Sequence, residues 1–148
     1  MSRDKLIERA FPKIRTHYKI TSPDDYKYNC IAFAAGDTNK HWWPKALYWP
    51  EGIPSTEDLN SFIACFKSLG YEECEMNGNF EPGYEKVAIY VSPDNKPTHV
   101  SRQFADGNGL WKSKLGIYKD IEHSLDGLSG WYSYGSYGHV AIILKRKV

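Results

Sequence analysis

The stretch from residue 85 to residue 115 constrains the fold most, because it holds three strand-like runs separated by two turn sequences. The runs are 85–92 (EKVAIYVS), 97–104 (PTHVSRQF) and 110–115 (LWKSKL). The connections PDNK and ADGNG are rich in the residues that close tight hairpins. This pattern predicts a three-stranded antiparallel meander.

Helical signals lie mainly before this meander. An apolar stripe over 3–15 is interrupted near Pro12, and a helix over 59–69 is predicted from the capping-box spacing of Ser55 and Asp58. The other predicted elements are a short helix at 29–35, a short helix at 119–127, a glycine-rich loop at 127–138 and a last strand from His139. We expect one α+β domain over residues 1–148, with N-terminal helices packed on an antiparallel sheet.

Composition narrows the class of protein. Hydrophobic residues make up 41% of the chain and charged residues 25%, which is typical of a folded globular domain. A net charge of +1 does not favour nucleic acid or an anionic membrane as a partner, and no apolar run is long enough to span a bilayer. The charged N-terminus is unlike a signal peptide, which predicts a cytoplasmic protein and leaves signal-independent export open.

Cys30 is the residue that raises the question of catalysis. The chain has three cysteines without CxxC spacing, so neither a metal site nor a disulfide framework is predicted, and no cofactor is implied. Cys30 follows Asn29 at the start of the short predicted helix. The N–H groups at a helix start favour a thiolate and could receive an oxyanion, with the Asn29 amide as a second donor. The alternative is a packing role, which we expect for Cys65 and Cys74.

A thiolate nucleophile needs an imidazole, and five histidines are available. His99 is favoured because it shares one strand face with Ser101 and Gln103, a polar row on a strand that should be interior to the sheet. His139, at the head of the last strand, is its rival. The remaining three, His17, His41 and His123, have less suitable predicted positions.

Three further side chains, those of Gln103, Arg102 and Trp43, are candidates for substrate contact. Arg102 could clamp a carboxylate, although a salt-bridged or solvated role is the more common one. Trp43, in the Trp42–Trp43 pair, could form a shelf for a ligand, although such a pair more often packs in a core.

The order of a helix-start Cys, a second helix and a sheet with a strand His resembles the papain-like cysteine hydrolases, especially the NlpC/P60 and CHAP amidase group. The resemblance implies a papain-like fold, a Cys30–His99 pair and a third polar residue on the next strand that orients the ring. Ser113, Lys114 or Leu115 would lie opposite His99 across the hairpin, depending on its register. Asp120 offers the better chemistry for an orienting group, so Ser113 and Asp120 both stay candidates.

The chain also resembles a more specific bacterial family without a known substrate. That family is marked by an Asn-Cys helix start, a Trp-Trp-Pro loop, a T-H-x-x-R-Q strand, a W-x-S-K-L-G segment and a D-I-x-H segment. All five motifs occur here, at residues 29–30, 42–44, 98–103, 111–116 and 120–123.

Together these patterns predict a cysteine hydrolase acting on a peptide or another amide-containing substrate. Cys30 would attack the carbonyl, and His99 would act as base and then as acid. Deamidation or transglutamination would use the same groups. Two alternatives stay open: a non-catalytic binding module on the same scaffold, and an antibacterial effector that cuts cell-wall peptides.

Overall fold

A computed structural model describes residues 3–15, 17–130 and 136–148. The helices are α1 (Lys5–Ala10), α2 (Cys30–Ala35) and α3 (Leu59–Ser68), with 3-10 helices at Pro12–Ile14 and Leu125–Leu128. The strands are β1 (Lys19–Ser22), β2 (Glu72–Glu73), β3 (Tyr84–Val91), β4 (Pro97–Gln103), β5 (Trp111–Lys114), β6 (Asp120–His123) and β7 (His139–Lys147). The protein is therefore a small α+β domain. No helix in the described ranges is long and apolar enough to cross a membrane.

The seven strands form one antiparallel sheet in the order β1-β6-β5-β4-β3-β7-β2. The predicted meander is confirmed as β3, β4 and β5, and the predicted last strand as β7. The ends of α2 follow from its sequence. Asn29 caps the start by accepting a hydrogen bond from the backbone N–H of Ala32, and Gly36 ends the helix with a left-handed φ of 89°.

Three local predictions are corrected. Residues 120–123 form strand β6 instead of part of a helix, because they pair with both β5 and β1. Lys19–Ser22 forms β1, an edge strand that is not among the predicted elements. Asp58 alone caps α3, whereas the Ser55 hydroxyl accepts a hydrogen bond from the backbone of Lys45. Residues 131–135 of the predicted glycine-rich loop lie outside the described residues.

Each face of the sheet carries its own apolar cluster. The face covered by α2 and α3, here called the α2 face, includes Val87, Ile89, Val100 and Leu144. The opposite face, here called the α1 face, is covered by α1 and the two 3-10 helices and includes Ala88, Tyr90, Ile121 and Ile143. Successive side chains on a strand point to opposite faces, so β3 and β4 contribute to both clusters.

Candidate functional site

Cys30 lies at the first position of α2, as its sequence predicts, and its surroundings are apolar. Its side chain is 7% exposed and belongs to the cluster that contains Ile31, Ile89 and Val100. Burial raises the pKa of Cys30 to about 11, and hydrogen bonding to backbone groups at Val100 and Ile31 offsets only part of this rise. Cys30 is therefore a neutral thiol at pH 7.

The predicted Cys30–His99 pair does not form. In the β3–β4 register, Val100 pairs with Ile89 on the α2 face, whereas His99 pairs with Tyr90 on the α1 face. Cys30 packs on the α2 face, so the sheet separates its sulfur from the His99 ring. Within the described residues, no imidazole nitrogen is hydrogen-bonded to the Cys30 sulfur. The prediction of this pair was therefore wrong.

His99 instead belongs to a buried hydrogen-bonded chain with Ser113 and His123, here called the His–Ser–His chain. Ser113 Oγ lies 2.8 Å from His99 Nε2, 2.7 Å from His123 Nε2 and 2.7 Å from Ser101 Oγ. All four side chains are fully buried. The predicted contact between Ser113 and His99 is thus confirmed, but the His–Ser–His chain lies on the face of the sheet away from Cys30.

The tautomers within this chain follow from one carbonyl group. His123 Nδ1 lies 2.6 Å from the Ser124 carbonyl oxygen, which can only accept, so Nδ1 carries the hydrogen. Burial lowers the pKa of His123 to about 4, so the ring is neutral at pH 7 and its Nε2 accepts from the Ser113 hydroxyl. Ser113 Oγ then accepts from His99 Nε2–H and from the Ser101 hydroxyl.

This accounting leaves His99 Nδ1 as a lone pair. It is buried and has no hydrogen-bond partner within the described part of the chain. The imidazole stacks on the Tyr137 ring, with 4.1 Å between centroids and planes 2° apart. Burial, reinforced by the nearby His123, holds the pKa of His99 well below its ordinary value. A neutral ring enclosed in this way is a core residue rather than an accessible base.

Asp120 does not orient His99. It pairs with Lys114 across β5 and β6, so both project to the α2 face, whereas their neighbours Ser113 and Ile121 project to the α1 face. Its Oδ2 accepts a hydrogen bond from the Tyr28 hydroxyl at 2.9 Å, and burial raises the pKa of the carboxyl. The proposed role of Asp120 was therefore wrong, and the same parity removes Lys114 from the His99 side.

The other predicted contact residues are occupied by internal contacts. The guanidinium of Arg102 donates to Glu85 Oε2 at 2.9 Å. Gln103 Nε2 donates to the carbonyl oxygens of Gly78 and Gly109, both at 2.9 Å. The Asn29 side chain caps α2. It also donates a hydrogen bond from Nδ2 to the Trp42 carbonyl oxygen and accepts one at Oδ1 from the Trp42 backbone N–H. These contacts support the structural alternative for Arg102, and they assign Gln103 and Asn29 to loop anchoring.

The Trp42–Trp43 pair separates into two roles. Trp42 is buried in the core, whereas Trp43 is half-buried and lines an open cavity of about 570 Å³, here called the Trp43 cleft. The Trp43 indole N–H donates to Glu57 Oε1 at 2.9 Å, which fixes the ring on the cleft wall. The cleft is also lined by Ser92, Pro93, Asp94, Lys96, Pro97 and Thr98 from the β3–β4 hairpin.

The structure defines the positions of two of the rival histidines. His41 Nε2 is hydrogen-bonded to the carbonyl oxygen of Tyr26 at 2.6 Å. His139 is exposed at the start of β7. His123 was predicted to lie on a short helix at 119–127, but it lies on β6 and belongs to the His–Ser–His chain. The alternation of Asp120 and Glu122 with Ile121 and His123 fits a strand facing Ser113, but the same short run also fits a helix.

The protein is thus a small α+β domain whose seven-stranded antiparallel sheet contains the buried His–Ser–His chain. Residues 19–145 match the model of a family described as a domain of unknown function (DUF7689), and the chain belongs to that family. No curated protein and no solved structure matches the chain. Three of the five sequence motifs meet in the His–Ser–His chain, and the other two meet where Asn29 binds Trp42.

Proposed function

We propose that the domain is a non-catalytic binding module on a papain-like scaffold, and that the Trp43 cleft binds an extended peptide carrying a basic side chain. A helix that begins with Cys30 and packs on an antiparallel sheet supports the papain-like relationship. The separation of Cys30 from His99 by the sheet favours binding over thiol hydrolysis. The observation that carries the proposal is the half-buried Trp43 indole, which lines an open cleft together with two carboxylates.

The charges of the cleft favour a cationic ligand group. Glu57 and Asp94 contribute two carboxylates against the single ammonium of Lys96. The hydrogen bond from Ser92 lowers the pKa of Asp94, so this carboxylate stays ionised at neutral pH. An indole face beside carboxylates attracts a guanidinium or an ammonium through both cation–π and Coulomb interactions.

The walls of the cleft favour a peptide as the carrier of that cation. Pro93 and Pro97 flank the cleft with rigid apolar rings, and Trp43 adds a flat aromatic surface. Aromatic and proline surfaces of this kind bind extended segments, in which the backbone is already solvated and side chains alternate. The cavity volume of about 570 Å³ lies within the range of small-ligand sites and fits a few residues.

The test uses the peptide acetyl-Pro-Arg-Pro-amide and its citrulline analogue, which has the same shape without the charge. In ¹H–¹⁵N NMR titrations, the arginine peptide should shift the Trp43 indole resonance and bind about fivefold more tightly than the citrulline peptide. Trp43→Ala should abolish binding, and Glu57→Gln with Asp94→Asn should remove the preference for arginine. Tyr26→Ala, which removes an aromatic ring that is 71% exposed outside the cleft, is the matched control and should bind normally.

Mass spectrometry of the same incubations separates binding from hydrolysis. The arginine peptide should be recovered intact after prolonged incubation with the protein. Cleavage that is lost in Cys30→Ser would overturn the binding-module proposal and restore a thiol hydrolase. Equal binding of the arginine and citrulline peptides, or no binding of either, would reject the cationic-peptide site.

A further inference from the structure

The loop of Asn77, Gly78 and Asn79 brings an asparagine side chain close to the backbone nitrogen of a glycine. Glycine has no Cβ, so its nitrogen is open to the side-chain carbonyl of the residue before it. Asn77 and Asn79 are exposed, so water reaches this loop. None of the three residues lines the Trp43 cleft, and the loop is therefore separate from the proposed peptide site.

The side-chain carbonyl of Asn77 is polarised by its own loop. Its Oδ1 accepts a hydrogen bond from the backbone N–H of Asn79 at 2.8 Å. This bond closes a ring of atoms that contains both Asn77 Cγ and the Gly78 nitrogen, which keeps the two atoms near each other. A nucleophile that adds to Cγ places negative charge on Oδ1, where the Asn79 N–H stabilises it.

Lys86 activates the nitrogen that would attack. The Gly78 nitrogen becomes nucleophilic when it loses its hydrogen, and the resulting charge is shared with the Asn77 carbonyl oxygen of the same peptide group. The buried Lys86 side chain donates from Nζ to that oxygen at 3.2 Å. Because little water screens this contact, the ammonium stabilises the charge more than a solvated lysine would.

The second Asn–Gly pair, Asn108 and Gly109, lacks this activation. Asn108 Oδ1 also accepts a hydrogen bond from the N–H two residues on, at 3.1 Å, but its Nδ2 is bonded to the Glu122 carboxylate at 3.2 Å. A carboxylate beside the reacting atoms opposes the development of negative charge. Within the described ranges, no lysine donates to the Asn108 carbonyl oxygen. Asn108 is therefore an internal reference for Asn77.

We propose that Asn77 is a self-modification site that converts to isoaspartate through a cyclic imide. The Gly78 nitrogen forms a bond to Asn77 Cγ, the Cγ–Nδ2 bond breaks, and ammonia leaves with the hydrogen of the Gly78 amide. Water then opens the imide at the former main-chain carbonyl of Asn77, whose oxygen Lys86 polarises. One hydrogen of the water returns to the Gly78 nitrogen and the other leaves as a proton. The new carboxylate lies beside the Lys86 ammonium.

The product should loosen the loop. Isoaspartate lengthens the main chain by a methylene group before Gly78, whose carbonyl oxygen accepts from Gln103 Nε2 at 2.9 Å and Trp111 Nε1 at 3.3 Å. Both donor side chains are buried, so displacement of Gly78 weakens hydrogen bonds that water does not replace. The isoaspartyl protein should therefore unfold at lower urea than Asn77→Asp, which adds the same charge to an unchanged main chain.

The test incubates the protein at pH 7.5 and measures isoaspartate in its tryptic peptides by electron-transfer mass spectrometry. In the folded protein, Asn77 should convert about tenfold faster than Asn108, whereas in urea the two rates should be similar. Lys86→Met should slow conversion at Asn77 about tenfold and leave Asn108 unchanged. Lys145→Met is the matched control, because Lys145 lines the same cavity but donates to Glu81, and it should change neither rate.

Three outcomes would overturn the proposal. One is an equal rate at Asn77 and Asn108 in the folded protein, and another is aspartate without isoaspartate at residue 77. The third is an unchanged rate at Asn77 in a folded Lys86→Met protein. Urea unfolding checks this variant, because Lys86 is buried. If it does not fold, the ratio of the two rates in the unaltered protein, folded against unfolded, decides alone.

Discussion

Ser113 donates its hydroxyl hydrogen to His123 Nε2 across 2.7 Å and accepts a hydrogen bond from His99 Nε2 across 2.8 Å. One buried serine on β5 therefore joins histidines from both neighbouring strands, β4 and β6. The direction of the hydrogen bonds requires both rings to be neutral. The stability of the core therefore depends on pH.

Stability should fall as the pH drops from 7 to 5. Burial lowers the folded-state pKa of His123 to about 4 and that of His99 well below its usual value. The unfolded chain therefore binds more protons below about pH 6.5, and each histidine lowers the free energy of unfolding by about 1.4 kcal/mol per pH unit. Urea unfolding at pH 5, 6, 7 and 8 measures this dependence.

Asp120 has a raised pKa and opposes this trend, so the histidine contribution is best isolated by substitution. His123→Gln should reduce the pH slope by about half, because one of the two buried titrating rings is removed. His139→Gln, at an exposed histidine, should keep the original slope. An unaltered slope in His123→Gln would show that this ring is protonated in the folded state.

Ser113→Ala should destabilise the fold by about 2–4 kcal/mol. The substitution removes few atoms, but it leaves the Nε2 atoms of His99 and His123 buried without their shared partner. Ser68→Ala, at an exposed serine of α3, is the matched control and should cost less than about 0.5 kcal/mol. Chemical unfolding at pH 7.5 gives both values, and similar losses for the two variants would contradict the buried chain.

Cys30 should react slowly with iodoacetamide at pH 7.5. Burial raises the pKa of Cys30 to about 11 and that of Cys65 to about 12, so both are neutral thiols in closed surroundings. Cys74 is only half-buried, lines an open cavity and should be alkylated first. His99→Gln should leave the alkylation rate of Cys30 unchanged, once any change in global unfolding is taken into account. Faster labelling at Cys30 than at Cys74 would support a reactive nucleophile.

The sequence predicted the elements of this domain better than their faces. The meander could be predicted because its strands alternate and its turns contain Asn, Asp, Gly and Pro. Strand β6 could not be separated from a helix, because the short run KDIEHSLDG satisfies both periodicities until β1 and β5 pair with it. Asn29 predicted the start of α2 through a purely local hydrogen bond.

Tertiary packing, rather than any local sequence signal, determines which side of the sheet α2 covers. The buried side chains of α2 include Ile31, Ala32 and Ala34, and an apolar helix packs on the more apolar face of β3 and β4, the face of Ile89 and Val100. The polar row at His99 and Ser101, considered from the sequence alone, predicts an active-site surface. The same row is satisfied by a second polar layer from β5 and β6, which strand periodicity alone does not reveal.

Gly138→Ala should be among the most destabilising small substitutions in the chain. Gly138 has a φ of 87°, and a Cβ there would overlap the carbonyl oxygen of Val91, a backbone atom that cannot rotate away. Gly83 is the matched control, because its φ is 84° but a Cβ there would meet nothing within 4 Å. Gly83→Ala should therefore cost only the strain of a left-handed backbone, about 1 kcal/mol, whereas Gly138→Ala should cost about 3 kcal/mol or more. Urea unfolding of both variants measures the difference. Equal losses of unfolding free energy would mean that the residue before β7 does not pack against the end of β3.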